Sequence, residues 1–166
     1  YKLWSSQINE SVEYIKAYSD PSKSEKERMK LWEEQGHLSP YTGNPIKLSE
    51  VFDKGKYDID HIIPKSRYFD DSFSNKVLAE RRINDDKGNR TAMEYFEIGS
   101  TKYSDEIFSK EQFIDHVNHY FSRKKRKNLL ATKIPQDPIN RQLKDTQYIN
   151  VRARQELYKL VGNKHD

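Results

Sequence analysis

Apolar residues recur at helical spacing towards both ends of this chain and at strand spacing only in its middle. Trp4, Ile8, Val12 and Ile15 fall on one stripe, which predicts an amphipathic helix over about residues 3–18. Asp20-Pro21 stops it, because a residue before proline is pushed out of helical backbone. Ser24 and Glu27 have capping-box spacing and predict a second helix that runs to about Gln35 and ends at Gly36. Its charges (Glu25, Lys26, Glu27, Arg28, Glu33, Glu34) read as a solvated face. Residues 39–56 are dense in turn formers and predict a knuckle. Tyr57 to Ile63 alternates polar with apolar, then turns wholly apolar before Pro64, and predicts a strand. A polar loop with Asp70-Asp71 follows. Lys76 to Glu80 then reads as a second short strand or a helical turn, and a short helix begins near Ile83-Asn84.

The rest reads as helical. Ser109 and Gln112 form a capping box ahead of a buried stripe of Phe113, Val117, Tyr120 and Phe121. Arg123 to Lys127 is a basic run, with a solvated helix end and a phosphate contact as equal readings. Asp137-Pro138 has the form of a helix start, and Ile139, Leu143, Ala153, Leu157 and Leu160 give a sparse apolar face after it. The predicted fold class is therefore α+β, with a small strand–loop–strand–helix unit near residues 37–95 set among helices. The segments at about 1–27 and 135–166 act as linkers within a single domain of 166 residues.

Composition narrows this picture. Hydrophobic residues make up 34% of the chain and mean hydropathy is −1.08, so the core must be modest. Lys and Arg number 30 against 26 Asp and Glu; the net charge of +4 allows a nucleic-acid partner. Cysteine is absent, which excludes disulfides and a cysteine zinc knuckle, so no zinc is expected. No apolar run approaches a membrane span. The start, Tyr1-Lys2-Leu3-Trp4, is neither an initiator Met nor a signal peptide, and reads as a piece of something larger.

The candidate chemistry lies on the predicted strand. Asp60 and His61 are adjacent there, and Asn84 follows 23 residues after His61. Hydrolysis of a phosphodiester needs a base to make a nucleophile from water and a cation to offset charge on phosphorus. Asp60 and Asn84 supply the oxygen ligands that Mg²⁺ prefers, and a neutral His61 can take the proton. Neighbours on an ideal strand point to opposite faces, so Asp60 and His61 serve one site only if the strand twists or ends there. Asn75 is the alternative amide ligand, although an Asn at that place more often satisfies loop backbone. Asp58 shares Asp60's face and either orients His61, supports the metal from behind, or is solvated. Asp70 and Asp71 read as loop residues. His116 and His119 read as structural histidines beside the Phe113 stripe. Lys65, Arg67, Lys76, Lys87 and Arg90 lie near the site in sequence and are the candidate contacts to a nucleic-acid backbone.

The run Asp58-Ile59-Asp60-His61-Ile62-Ile63-Pro64-Lys65-Ser66, then Asp70-Asp71-Ser72-Phe73-Ser74-Asn75-Lys76-Val77-Leu78, then Asn84 and Lys87-Gly88-Asn89, resembles the HNH nuclease domain of the type II CRISPR RNA-guided DNA endonucleases. Tyr41-Thr42-Gly43 and Pro45-Ile46 resemble it too. Asn140 to Ile149 resembles the segment leading into that family's RuvC-like domain, so the likeness covers about residues 28–152. The resemblance implies a ββα-metal fold and one Mg²⁺, with Mn²⁺ as a possible substitute. It implies Asp60 and Asn84 as metal ligands and His61 as general base. It also implies cleavage of the target DNA strand paired to a guide RNA, inside a larger effector in the prokaryotic cytoplasm. RNA pairing reads the sequence while protein reads duplex shape; that division belongs to the family and is not read from these residues. Many relatives carry a cysteine before the Tyr-Thr-Gly knuckle, where this chain has Ser39. The alternatives are a free-standing HNH nuclease of homing or toxin type, and a helical module that only clamps a duplex.

Overall fold

A computed structural model describes residues 21–135 and 149–157. The helices expected over 3–18 and from Asp137-Pro138, and most of the 140–149 segment, lie outside the described residues. Helix α1 spans Lys23–Glu34. Its capping box uses Ser22 and Glu25, not the expected Ser24 and Glu27. Both pairs have the right spacing; Glu27 is committed elsewhere, 2.7 Å from the Lys76 ammonium. The expected solvated face is corrected at Arg28 alone; none of its other charges is buried. Arg28, Leu31, Trp32 and Gln35 are all buried on one stripe. Arg28 donates to the carbonyls of Val51 and Tyr57, each at 3.0 Å. Trp32 Nε1 donates to Ile46 O at 2.8 Å.

After Gly36 the chain turns into the knuckle. Ser39 N donates to Asn44 O at 2.8 Å and Gly43 N to Ser39 O at 3.0 Å. Gly43 sits at φ +72°, and a Cβ there would lie 2.5 Å from Phe108 Cζ. The knuckle is closed by a carboxylate. Ser39 Oγ donates to one oxygen of Glu80, and Thr42 Oγ1 donates to the other at 2.6 Å. Glu80 and both hydroxyl residues are buried.

Strand β1, Tyr57–His61, pairs antiparallel with β2, Lys76–Glu80. Asp60 faces Val77 and His61 faces Lys76 in the register. The expected strand to Ile63 stops two residues early. Ile62 N donates to Asn75 O at 2.9 Å and Ile63 N to the Asn75 side-chain oxygen at 2.9 Å, so a buried loop anchor replaces the ladder. Strand β2 leads directly into helix α2, Arg81–Lys87, completing the strand–loop–strand–helix unit. Three helices follow: α3, Ala92–Ile98; α4, Lys110–Tyr120; and α5, Arg123–Leu129. Residues 149–157 are also helical.

The alternation of β2 builds two cores. Val77 and Ala79 join Tyr41, Ile62, Ile83, Tyr95, Phe96 and Phe113 on one side. Leu78 joins Leu31, Trp32, Ile46, Leu48, Val51 and Tyr57 on the other. Every residue of β2 is buried as a result. Helix α4 carries the expected Ser109–Gln112 capping box and buries Phe113 and Val117. Tyr120, expected in its stripe, is 40% exposed instead; His116 takes the inner position. Among the described residues no helix is long and apolar enough to cross a membrane.

Candidate active site

Asp60 and His61 occupy the last two positions of β1, where the strand ends and their side chains part. Asp60 turns inward and is 4% exposed. One of its oxygens accepts from the Tyr41 hydroxyl at 2.5 Å; the other lies 3.1 Å from the Lys87 ammonium. Burial pushes the Asp60 carboxyl above its usual range, and Lys87 and Tyr41 oppose that rise. Tyr41 is fully buried, and burial next to this carboxylate drives its phenol well above the usual value. Tyr41 therefore stays protonated and donates.

His61 turns the other way, still partly covered. Its Nε2 lies 2.8 Å from Asp71 Oδ1. The same carboxylate oxygen lies 3.2 Å from the Lys65 ammonium and 3.3 Å from that of Lys76. Partial burial would raise Asp71, but His61, Lys65 and Lys76 outweigh it and hold the carboxyl at about 2. Asp71 is thus a fixed anion behind the imidazole. Reading it as a plain loop residue missed this role. Its sequence signal was only that it lies on the loop returning to the strand partner of His61.

That loop is held by Asn75, which is fully buried. Its side chain accepts from Ile63 N at 2.9 Å and donates to Ile63 O at 3.0 Å and Asp70 O at 2.9 Å. An amide so occupied acts as a loop clamp, with its oxygen engaged by Ile63 N and its NH2 by two carbonyls. Asn84 lies on α2, three residues before Lys87, on a neighbouring part of one helical face. It is half-buried, and its side chain has no hydrogen-bond partner among the described residues. Asp58 reaches towards Arg28 at 3.8 Å and is 42% exposed in its side chain.

The five cations divide. Lys87 has a side chain that is 0% exposed, bound to Asp60, so it is not the surface cation expected from sequence. Lys76 is also buried, between Glu27 and Asp71. Both are corrected by the same physics: each is the counter-charge of carboxylates, Asp60 for Lys87 and Glu27 with Asp71 for Lys76. Arg67 forms a two-toothed pair with Glu94. Arg90 donates to the carbonyls of Lys87 and Asp86 and lies over the Tyr95 ring at 4.8 Å. Lys65 sits over Phe69 at 5.6 Å and beside Asp71, largely exposed.

These donors fit a hard divalent ion. The Lys87 ammonium already rests between a carboxylate oxygen at 3.1 Å and the His61 carbonyl at 3.3 Å, so the pocket is lined by oxygens that favour a cation. Among the described residues no three His, Asp or Glu side chains converge as a metal cage. An ion there would need the Asn84 amide and water to complete its shell.

Residues 39–93 match the family model described as HNH endonuclease. The chain is 35% identical over 130 residues to the CRISPR-associated endonuclease Cas9 of Staphylococcus aureus, covering 74% of this chain and 12% of that protein. It is 42% identical over 76 residues to the Cas9 of Campylobacter jejuni, covering 46% of this chain and 8% of that protein. The crystal structure of Streptococcus thermophilus Cas9 in complex with AGGA PAM aligns with a TM-score of 0.58 at 29% identity, over 81% of this chain and 13% of that one. The type II-C Cas9 of Actinomyces naeslundii shares the fold, with a TM-score of 0.53 at 18% identity over 80% of this chain and 14% of that one. The chain thus spans only 8% to 12% of the length of the two curated relatives it matches here.

Proposed function

Because this chain carries an HNH endonuclease domain of the kind found in Cas9 proteins, we propose that it hydrolyses a phosphodiester of DNA, with His61 as general base. In this reading His61 donates its Nε2–H to Asp71 Oδ1 across 2.8 Å, the only role an ionised carboxylate allows it, and the lone pair then lies on Nδ1. Nδ1 then takes a proton from the attacking water. Asp60 and Asn84 hold Mg²⁺, or Mn²⁺ in its place, through oxygen. When bound, that ion offsets the charge that builds on phosphorus and on the departing oxygen. Tyr41 keeps Asp60 aimed, since its donated hydrogen bond occupies the carboxylate oxygen turned away from Lys87.

The observation that carries this reading is the end of β1 at Asp60–His61, where a buried carboxylate and an imidazole anchored by Asp71 stand at adjacent positions. The substrate we propose is the target strand within a guide RNA–DNA heteroduplex. The partners are the remaining parts of a larger effector, including a RuvC-like domain, working in the prokaryotic cytoplasm. The test is cleavage of such a heteroduplex by the effector that contains this domain, with nicking of the paired strand scored against Mg²⁺ concentration. His61→Ala and Asn84→Ala should each lose nicking of that strand while binding of the heteroduplex persists. Full nicking by either variant would refute the assignment.

A further inference from the structure

The pocket at Asp60 already holds a positive charge, and the chain itself supplies it. Lys87 reaches in from the last turn of α2 with a side chain 0% exposed to solvent. Its ammonium lies 3.1 Å from Asp60 Oδ1 and 3.3 Å from His61 O. An ammonium only donates, so it settles where acceptor oxygens gather. Those are also the atoms a hard divalent ion seeks. The second Asp60 oxygen is taken by Tyr41. Oδ1 is therefore the face that both cations need.

We propose that Lys87 is a built-in placeholder for the divalent ion: the two compete for Asp60 Oδ1, and loading of the metal expels the ammonium from the pocket. This rests on Asp60 being a metal ligand, as read above. Three features support it. Burying Asp60 without a counter-charge is costly, so the metal-free fold needs an internal cation there. The lysine stem is four flexible carbons, so the ammonium can leave without moving the helix. Asn84 lies three residues earlier on α2, so the helix that delivers the placeholder also carries the second proposed ligand. A dication entering beside a retained ammonium meets like-charge repulsion in a poorly solvated pocket, which is why the two exclude each other. The metal-free domain is then neutral at this point, and it loads metal less readily than its oxygen ligands alone would allow.

The test is Mn²⁺ binding by the 166-residue chain at pH 8, read from the electron paramagnetic resonance signal of free ion, together with ¹⁵N lysine NMR. Lys87→Met should bind Mn²⁺ about tenfold more tightly than the parent, since one adjacent like charge is gone. In the parent, a protected ammonium resonance, assigned by its loss in Lys87→Met, should disappear on addition of Mg²⁺. Equal or weaker Mn²⁺ affinity in folded Lys87→Met overturns the proposal. If that variant does not fold, Lys87→Arg assigns the resonance by its loss, and an ammonium signal unchanged at saturating Mg²⁺ overturns the proposal in the parent alone. Asp60→Asn separates the two ideas. Mn²⁺ affinity that ignores Asp60→Asn removes the ligand assignment itself, whereas affinity that needs Asp60 but ignores Lys87 removes only the competition.

Discussion

Asn75→Ala should unfold this domain's site loop, while Asn84→Ala should not. Asn75 has 0% exposure and makes three side-chain hydrogen bonds, at 2.9, 3.0 and 2.9 Å, to Ile63 N, Ile63 O and Asp70 O. Alanine removes all three and leaves the buried Ile63 amide and carbonyl without partners. At about 1 kcal/mol per lost bond, with more for buried groups left unpaired, the cost is about 3 kcal/mol. For a domain of this size that corresponds to a fall in melting temperature of roughly 6–12 °C. Asn84 has no side-chain partner among the described residues and is half-buried, so its alanine variant should stay within about 0.5 kcal/mol of the parent. Urea unfolding with a constant slope gives both numbers, and thermal melts check them. Below its melting point Asn75→Ala should still bind Mn²⁺, whereas Asn84→Ala should bind it weakly. A loss under about 1 kcal/mol for Asn75→Ala, or an equal loss for both variants, would refute the division between loop clamp and ligand.

Other outcomes can be checked alongside. His61→Ala should lower cleavage by about 10²–10⁴-fold, the usual worth of a general base, with an unchanged circular dichroism spectrum. His116 is buried among Phe108, Tyr120 and Phe121 with Nε2 unpartnered, and burial, with a smaller contribution from His119, lowers its pKa below the ordinary histidine value. The unfolded chain therefore takes up that proton first as the pH falls. Stability should decline from about pH 6.5 down to the depressed folded value and then level, and His116→Phe should flatten that part of a urea-midpoint profile. An identical slope in the variant would exclude His116 as its source. Gly43→Ala forces a side chain onto φ +72° and into Phe108, and should cost about 1–3 kcal/mol in a thermal melt. No change in melting temperature would show that the knuckle relaxes freely.

The sequence pattern disclosed the central unit well and its support poorly. Alternation from Tyr57 and the break at Pro64 gave the first strand, two residues too long, and the following helix, whereas the run from Lys76 left strand and helical turn open because Lys76 to Glu80 does not alternate. Helix α3 went unread although Thr91 and Glu94 form a capping box; seven residues are too few for a helical stripe to stand out. Partnership was least legible. Arg28 looks like any surface charge until Leu31 and Trp32 turn its face inward. Lys76 and Lys87 look like phosphate contacts until their carboxylates, Glu27 on α1 and Asp60 on β1, are brought to them by the fold. Asp71 and Tyr41 lie 10 and 19 residues from the groups they bond, distances that no local pattern reports. The residue types of the site were visible; which charge neutralises which was a property of the folded chain.

The closure of the knuckle has a practical consequence. Ser39 and Thr42 grip Glu80 with protons alone, so these fastenings respond neither to thiol oxidants nor to chelators. Adding EDTA should therefore leave the knuckle closed, and the melting curve should fall only by the stabilisation that a bound ion had supplied. Metal can thus be withdrawn during purification and storage and restored afterwards without the knuckle coming apart.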